Sequence, residues 1–135
     1  MEKTEYILDG SAFATLEEFS QHFSERVLRG YQWHGNLDSL NDILRGGFGT
    51  PEAGFVLVWR DHALSRSRLG HAEMVKRLER IRQTCHSSNV ARVDAELSSA
   101  RKGLGPTMFD LLVEIIRRHG EGGSEAEDGV DLVLA

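Results

Sequence analysis

The sequence predicts an α/β fold with a small three-stranded parallel sheet and helices packed against it. Short apolar runs of strand length stand near the start, in the middle and at the end of the chain, at residues 6–9, 55–59 and 130–135. Segments with the helical spacing of apolar residues separate them. Strands that are joined through helices pair in parallel, because the crossover returns the chain in the same direction. We therefore expect one domain over residues 1–135.

The first half of the chain supplies two of these strands and three helices. After the strand at 6–9, Thr15 and Glu18 form the Thr-x-x-Glu pattern of a capping box, which predicts that a helix begins there. A second helix is predicted in the stretch NLDSLNDILR, with Gly46 as its C-terminal cap. The run FVLVW at 55–59 is apolar throughout, which is typical of a central strand covered on both faces. A short helix in RDHALSRSRLG follows it.

The second half begins with two predicted helices inside residues 70–105, each with one apolar face. The breaker GLGP separates them from a third helix, which starts at Thr107 with Asp110 as a second cap-like pair. That helix ends in basic residues followed by Gly120, which suit the negative end of the helix dipole. An acidic loop then leads into the last strand at 130–135.

Composition and charge restrict the classes of function. The chain carries 16 basic and 21 acidic residues, yet residues 70–105 alone hold seven basic and four acidic side chains. The remainder is therefore strongly acidic, which disfavours direct binding of nucleic acid and favours a cationic partner.

The single cysteine, Cys85, excludes an internal disulfide. With no apolar run near ~20 residues and no signal-peptide pattern at the start, we expect a cytoplasmic protein without a membrane segment.

Candidate catalytic and metal sites are weak in this sequence. No pair among the six histidines has i, i+4 spacing, and Cys85 has no second cysteine to assist it, so we expect neither metal nor cofactor. Asp61, His62 and Ser65 are the residue types of a hydrolase triad, but they share one helix turn and no Gly-x-Ser-x-Gly elbow is present. The GGFG stretch lacks the lysine and Ser/Thr of a phosphate-binding loop. We expect no enzyme; a small hydrolase is the weakest alternative.

The second predicted helix carries the most informative pattern. Asp38, Asn41 and Asp42 lie at i, i+3 and i+4 on the side opposite its apolar residues. Two carboxylates one turn apart repel each other, and the helix dipole accounts only for Asp38 near the N-terminus. The segment that leads into the helix consists of Trp33, His34, Gly35 and Asn36. Such a mixture of aromatic, polar and acidic residues is typical of the centre of a protein interface.

The order of elements and this motif together resemble the barstar family, intracellular inhibitors of the secreted ribonuclease barnase. The resemblance rests on YILDG, WHGNLDSLNDIL, FVLVWRDHALSRSRLG, the amphipathic last helix and GVDLVLA. Residues 70–105 have no counterpart in the short family members and look like an insertion of two helices. Because the family core closes without them, we expect that this pair can be removed without unfolding the domain.

The resemblance implies that the loop and second helix plug the active site of a cationic ribonuclease, with carboxylates in the place of RNA phosphates. Asp42 would meet the arginine and histidine cluster of the enzyme, and Asp38 a neighbouring cation. It implies a protein that is monomeric when free and needs no cofactor. The partner-binding residues expected on this basis are Trp33, His34, Gly35, Asn36, Asp38, Asn41, Asp42, Gly46 and Glu114.

Several positions depart from the family pattern. One residue between the glycine and the asparagine of the motif is missing, and Asn41 stands where the family often has tryptophan. On the last helix, Ile115 and His119 occupy positions where the family tends to have glutamates, and Glu114 is the only nearby acid. We expect the acidic loop to replace those glutamates in attracting the partner, through Glu121, Glu125, Glu127 and Asp128. The alternative function is a barstar-fold interaction module for another target, with the basic helices as its contact surface.

Overall fold

The sheet has three parallel strands, which lie side by side in the order in which they occur along the chain. A computed structural model describes residues 3–46, 48–51 and 53–135. The strands are β1 (Thr4–Asp9), β2 (Phe55–Arg60) and β3 (Val130–Leu134). In the middle of the register, Leu57 of the central strand lies between Tyr6 and Leu132. The predicted α/β fold with a small parallel sheet is therefore confirmed.

Six α-helices connect and cover these strands in the described part of the chain. They are α1 (Leu16–Val27), α2 (Leu37–Arg45), α3 (His62–Arg68), α4 (His71–Thr84), α5 (Val90–Arg101) and α6 (Met108–Arg118). Helix α6 contacts α2, α3 and α4, so it connects the motif-bearing part of the chain with the rest. None of the described helices has the length and apolar character that crossing a bilayer requires.

The centre of the core is Trp59 on the central strand. Its ring stacks against Phe19 of α1 with centroids 5.3 Å apart, and it meets Phe109 of α6 edge-on at 5.1 Å. The indole Nε1 donates a hydrogen bond to the hydroxyl oxygen of Ser65 at 2.9 Å. Ser65, one of the triad-type residues, is thus completely buried, and its hydroxyl satisfies a polar group of the core.

The helix boundaries follow from local capping. Thr15 accepts a hydrogen bond from the backbone N–H of Glu18, as predicted for the start of α1. At the start of α6, Thr107 and Asp110 cap each other reciprocally, at 3.0 and 3.1 Å. Gly46 ends α2 with a φ of 108°, a backbone conformation that favours glycine. These capping residues fix where α2 and α6 begin or end, and therefore where their polar faces lie.

Helices α4 and α5 form the predicted helical pair, which we call the hairpin. Its two ends lie together, since the backbone N–H of Phe109 donates to the carbonyl of Leu69 at 2.8 Å and His71 Nε2 lies 2.9 Å from the carbonyl oxygen of Gly105. Its buried apolar residues nevertheless belong to the main core cluster; they are Met74, Leu78, Val93, Leu97 and Ala100. Helix α4 packs against α6, so the hairpin contributes to the core, and its removal without unfolding of the domain remains a prediction.

Candidate partner-binding site

The loop before α2 is held in place by its own hydrogen bonds. The side-chain oxygen of Asn36 accepts from the backbone N–H groups of Asp38 and Ser39, at 2.9 and 3.2 Å, and thereby caps α2. The indole Nε1 of Trp33 donates to the backbone oxygen of Asn36 at 2.8 Å. Gly35 between them has a φ of 92°, which a residue with a side chain rarely adopts. The carboxylates of α2 are thus presented on a fixed support.

Trp33 does not belong to the exposed surface. The residue is 3% exposed, and its ring packs edge-on against Phe19 and Phe23 with centroids 6.0 and 5.8 Å away. Its backbone N–H donates to the hydroxyl of Ser24 at 2.9 Å. The ring therefore supports the loop before α2 from the core, and its assignment as a contact residue remains a prediction. The physical reason for its burial is the large apolar area of the indole, which gains more from the core than from solvent.

The outer face of α2 presents the predicted pair of carboxylates. The side chains of Asp38 and Asp42 both point to solvent, that of Asp42 with 62% exposure. Asp42 accepts a hydrogen bond from Nη1 of Arg45, one turn further along α2, at 2.8 Å. The repulsion between the two acids is therefore reduced within the free protein by a cation of the same helix.

Asp38 faces a cation of the hairpin. Asp38 and Arg77 line the same cleft of about 330 Å³, between α4 and the loop that contains His34 and Gly35. Burial lowers the pKa of Arg77, and the negative charges of Asp38 and Glu96 oppose this shift. The hairpin thus contributes positive charge beside the N-terminal carboxylate of α2.

Arg45 has a second and closer partner in the acidic loop. Its Nε donates to Glu125 Oε1 at 2.7 Å, while its Nη1 is bonded to Asp42. The hydrogen bond to Glu125 is the main cause that raises the pKa of Arg45, and Asp42 adds less. The same bond lowers the pKa of Glu125. Arg45 therefore bridges the outer face of α2 and the acidic loop.

A buried histidine anchors the other side of this network. His119 is completely buried at the end of α6; its Nδ1 lies 2.7 Å from Asp128 Oδ2, and its Nε2 lies 3.0 Å from Asn41 Oδ1. Asn41 is half-buried and its amide oxygen makes this internal contact, while its assignment as a contact residue for a partner remains a prediction. His119, Glu125 and Asp128 also stand close enough for three metal ligands. Their atoms already satisfy one another and Arg45, as in a structural hydrogen-bond network.

The acidic loop is consequently divided between two roles. Glu125 and Asp128 contact Arg45 and His119 within the chain, and the attraction of a partner by all four acids remains a prediction. Glu121 and Glu127 are exposed. Sequence patterning shows the charges of a loop but not which of them make contacts within the folded chain.

Glu114 lies apart from the surface of α2. It forms an ion pair with Arg118 at 3.5 Å and lines a different cleft, together with Arg66 and Phe109. On α6, His119 is the residue that reaches α2, and at about 100° per residue a position five residues earlier points in another direction. The structure therefore does not bring Glu114 together with the other predicted contact residues.

Two exposed aromatic residues next to α2 were missed by the sequence analysis. Tyr31 and Phe48 are 51% and 36% exposed, and their rings meet edge-on at 5.7 Å. They line a cleft of about 350 Å³ together with His34 and Asp42. The sequence signal that could have identified them is an aromatic residue in each of the two glycine-containing loops that flank α2. Such rings supply large contact areas at protein interfaces.

Most basic side chains of the hairpin are paired within the chain. Four of its five arginines form ion pairs with acids of the hairpin or of α1: Arg80 with Glu17, Arg82 with Asp94 at 2.8 Å, Arg92 with Glu96 at 3.3 Å, and Arg101 with Glu79 at 3.3 Å. Exposed pairs of this kind contribute little stability, but they cancel the field that a nucleic acid would sense. The hairpin therefore does not present a continuous cationic surface.

The chain matches the model of a known protein family. The family model described as Barstar (barnase inhibitor) matches residues 4–100, which is more than two thirds of the chain. No curated protein matches the sequence. The matched range runs from β1 into α5 and includes the loop before α2, both carboxylates of its outer face, and Arg45. It ends before α6, the acidic loop and β3.

Proposed function

This chain belongs to the barstar family, and from that premise we propose that it is a proteinaceous inhibitor that blocks the active site of a barnase-type ribonuclease. In this proposal the chain catalyses nothing and acts as a monomer. Its single cysteine fits a reducing compartment, and we place it in the cytoplasm. Inhibition then depends on what the outer face of α2 offers to the cations of the enzyme.

The observation that carries the proposal is the exposed carboxylate pair on α2. Side chains four residues apart on a helix are neighbours, with about 5–6 Å between their Cβ atoms. Asp38 and Asp42 therefore offer two negative charges to a site that binds the phosphates of RNA. Because complementary charges steer encounter and fix register, an acidic face suits a cationic enzyme.

The aromatic residues beside this face support the same proposal. The cleft formed by Tyr31 and Phe48 opens next to Asp42, so a side chain of the partner that reaches Asp42 also covers apolar area. Binding energy at interfaces concentrates in such anchors near the centre of the contact. The support for these residues is geometric, because His34 and Tyr31 line the same cleft as Asp42.

The alternative, a module that binds another target through the basic helices, has less support. Four of the five arginines of the hairpin form ion pairs with neighbouring acids. The exposed acidic and aromatic groups gather instead around α2. We therefore assign α2 and its two flanking loops as the contact surface.

The test is an assay of RNA cleavage by barnase with increasing amounts of the purified chain. We expect cleavage to stop near equimolar chain, and the variant Asp42→Ala to require a large excess. Glu114→Ala is the matched control, because it removes an exposed acid outside the surface of α2 and should inhibit like the wild type. Undiminished cleavage in excess wild-type chain, or equal loss in both variants, would contradict the proposal.

A further inference from the structure

The position of Arg45 bears directly on how available Asp42 is to a partner. Arg45 reaches Asp42 with Nη1 at 2.8 Å and Glu125 with Nε at 2.7 Å, so the two bonds use different nitrogen atoms. The pair with Glu125 is the better protected of the two, because the side chain of Glu125 is 25% exposed and that of Asp42 is 62% exposed. Solvent and salt screen exposed pairs most strongly.

From this geometry we propose that Arg45 is an internal counter-ion that covers Asp42 in the free protein and is displaced by the cations of the partner. Glu125 retains the Nε of Arg45 while Nη1 leaves Asp42, so displacement breaks one hydrogen bond and keeps the other. The proposal deepens the proposed function, since it concerns the same carboxylate.

The physical consequence is a lower apparent affinity for every cation that uses Asp42. A ligand that needs a minor state of a protein binds with its intrinsic affinity reduced by the fraction of molecules in that state. Here the competent state is the one in which Asp42 is uncovered. Arg45 therefore sets how strongly a cation must interact with Asp42 in order to occupy it.

The relative strength of the two bonds supports displacement at Asp42 rather than at Glu125. The hydrogen bond to Glu125 is the first cause of the raised pKa of Arg45, and that to Asp42 is the last. The carboxylate of Glu125 also lies 3.8 Å from the buried His119, which gives it a second cationic neighbour whenever the ring is protonated. Glu125 is thus the fixed end of the bridge, and Asp42 is the exchangeable end.

The experiment uses two probes and compares five proteins. Binding of a tetra-arginine peptide is followed by NMR at the side-chain carboxyl carbon of Asp42, and inhibition of barnase is measured in parallel. We expect Arg45→Gln to bind the peptide roughly two- to fivefold more tightly than wild type, the range of exposed ion pairs. Arg92→Gln removes the same charge from an exposed pair on the hairpin, and should change the affinity less.

The double variant Arg45→Gln with Asp42→Asn separates the specific contact from a general effect of charge. In the background Asp42→Asn, whose peptide affinity is read from the carboxyl signal of Asp38, removal of Arg45 should bring no gain. Unchanged or weaker binding by Arg45→Gln, an equal gain with Arg92→Gln, or a gain that persists without Asp42 would each overturn the proposal. If the peptide results hold while no variant inhibits barnase, the internal counter-ion stands and the proposed function fails.

Discussion

The carboxylate of Glu73 accepts a hydrogen bond from the backbone N–H of Leu16 at 3.1 Å, although 57 residues separate the two. Leu16 is the first residue of α1, where backbone N–H groups have no partner within the helix. Glu73 is buried, and its other oxygen lies 3.0 Å from the ammonium group of Lys76. The hairpin therefore completes the capping of a helix in the main body of the domain.

Replacement of Glu73 tests this capping contact. Glu73→Ala leaves the N–H of Leu16 without an acceptor, which costs about 1–3 kcal/mol of the free energy of unfolding. Chemical denaturation of the variant and the wild type measures the difference. Glu79→Ala is the control, since Glu79 is an exposed member of a surface pair with Arg101 and should change stability by less than about 0.5 kcal/mol. Equal stability of Glu73→Ala and wild type would show that water replaces the carboxylate.

The same contact changes what is expected of a protein without the hairpin. Because the ends of the hairpin adjoin at Leu69 and Phe109, deletion of residues 71–104 with a short glycine linker preserves the path of the chain. The deletion also removes Glu73 and several members of the core, so we expect a cooperative thermal transition at a clearly lower temperature. A transition at the wild-type temperature would show that the hairpin contributes nothing to the core.

The sequence predicted the elements of the fold because their signals are local. The apolar run FVLVW and the pair Thr107 and Asp110 define the central strand and the start of α6 without reference to distant residues. The hairpin was recognised for the same reason. Its attachment to the core was missed, because the bond between Glu73 and Leu16 joins segments whose proximity only the tertiary structure determines.

The candidate site divides in the same way. Asp38 and Asp42 were found because helical periodicity places them on one face of α2. The inward position of Trp33 and the role of Asn41 were missed, because both depend on partners far along the chain or across the core, such as His119. The sequence does not show whether an aromatic side chain in a motif faces a partner or the core. Only its burial in the folded structure distinguishes the two cases.

A buried histidine makes the stability of the protein dependent on pH. His22 is buried, and its Nε2 accepts a hydrogen bond from the backbone N–H of Asp9 at 3.0 Å, which requires the neutral ring. Burial is the main cause that lowers its pKa below the ordinary value, and Arg26 adds to this shift. As the pH falls below the ordinary value of about 6.5, the unfolded chain binds a proton that the folded protein does not bind.

Stability from His22 is therefore present above pH ~6.5 and is lost as the pH falls toward the lowered folded pKa. We expect the free energy of unfolding of the wild type to fall more between pH 7 and pH 5 (about the range of histidine titration) than that of His22→Gln. In the variant, the glutamine at position 22 does not titrate. His86→Gln, at an exposed position, should follow the wild type. Denaturant titrations at several pH values measure these slopes, and parallel curves for wild type and His22→Gln would refute the assignment.

The exposed part of the acidic loop is expected to attract a cationic partner from a distance. Neutralising Glu121 and Glu127 to glutamine should slow association with barnase at low salt, and the effect should fade at high salt. The stability of the protein should not change, because neither residue is buried. Asp128→Asn is a contrasting variant: it should lower stability, since it weakens a contact of the buried His119. The association rates are measured by stopped flow at two salt concentrations. Equal rates for the wild type and the neutralised variant at low salt would exclude steering by this loop.

The central expectation concerns Asp42 and its neighbour Asp38. In the proposed complex, Asp42→Ala leaves a cation of the enzyme desolvated and unpaired, and truncating one member of such a pair costs about 2–5 kcal/mol or more, a range to which the complex of barnase and barstar itself contributes. Since about 1.4 kcal/mol corresponds to a factor of ten, affinity should fall at least ~30-fold, mainly through faster dissociation.

Asp38→Ala should cost less, because the carboxylate of Asp38 already interacts electrostatically with Arg77 of the same chain. In the free protein both variants should melt close to the wild type, since Arg45 keeps its bond to Glu125. Dissociation rates from barnase and thermal midpoints are measured for each variant. A folded Asp42→Ala that dissociates as slowly as wild type, or an Asp42→Ala that no longer folds, would show that this carboxylate does not stand in for a phosphate.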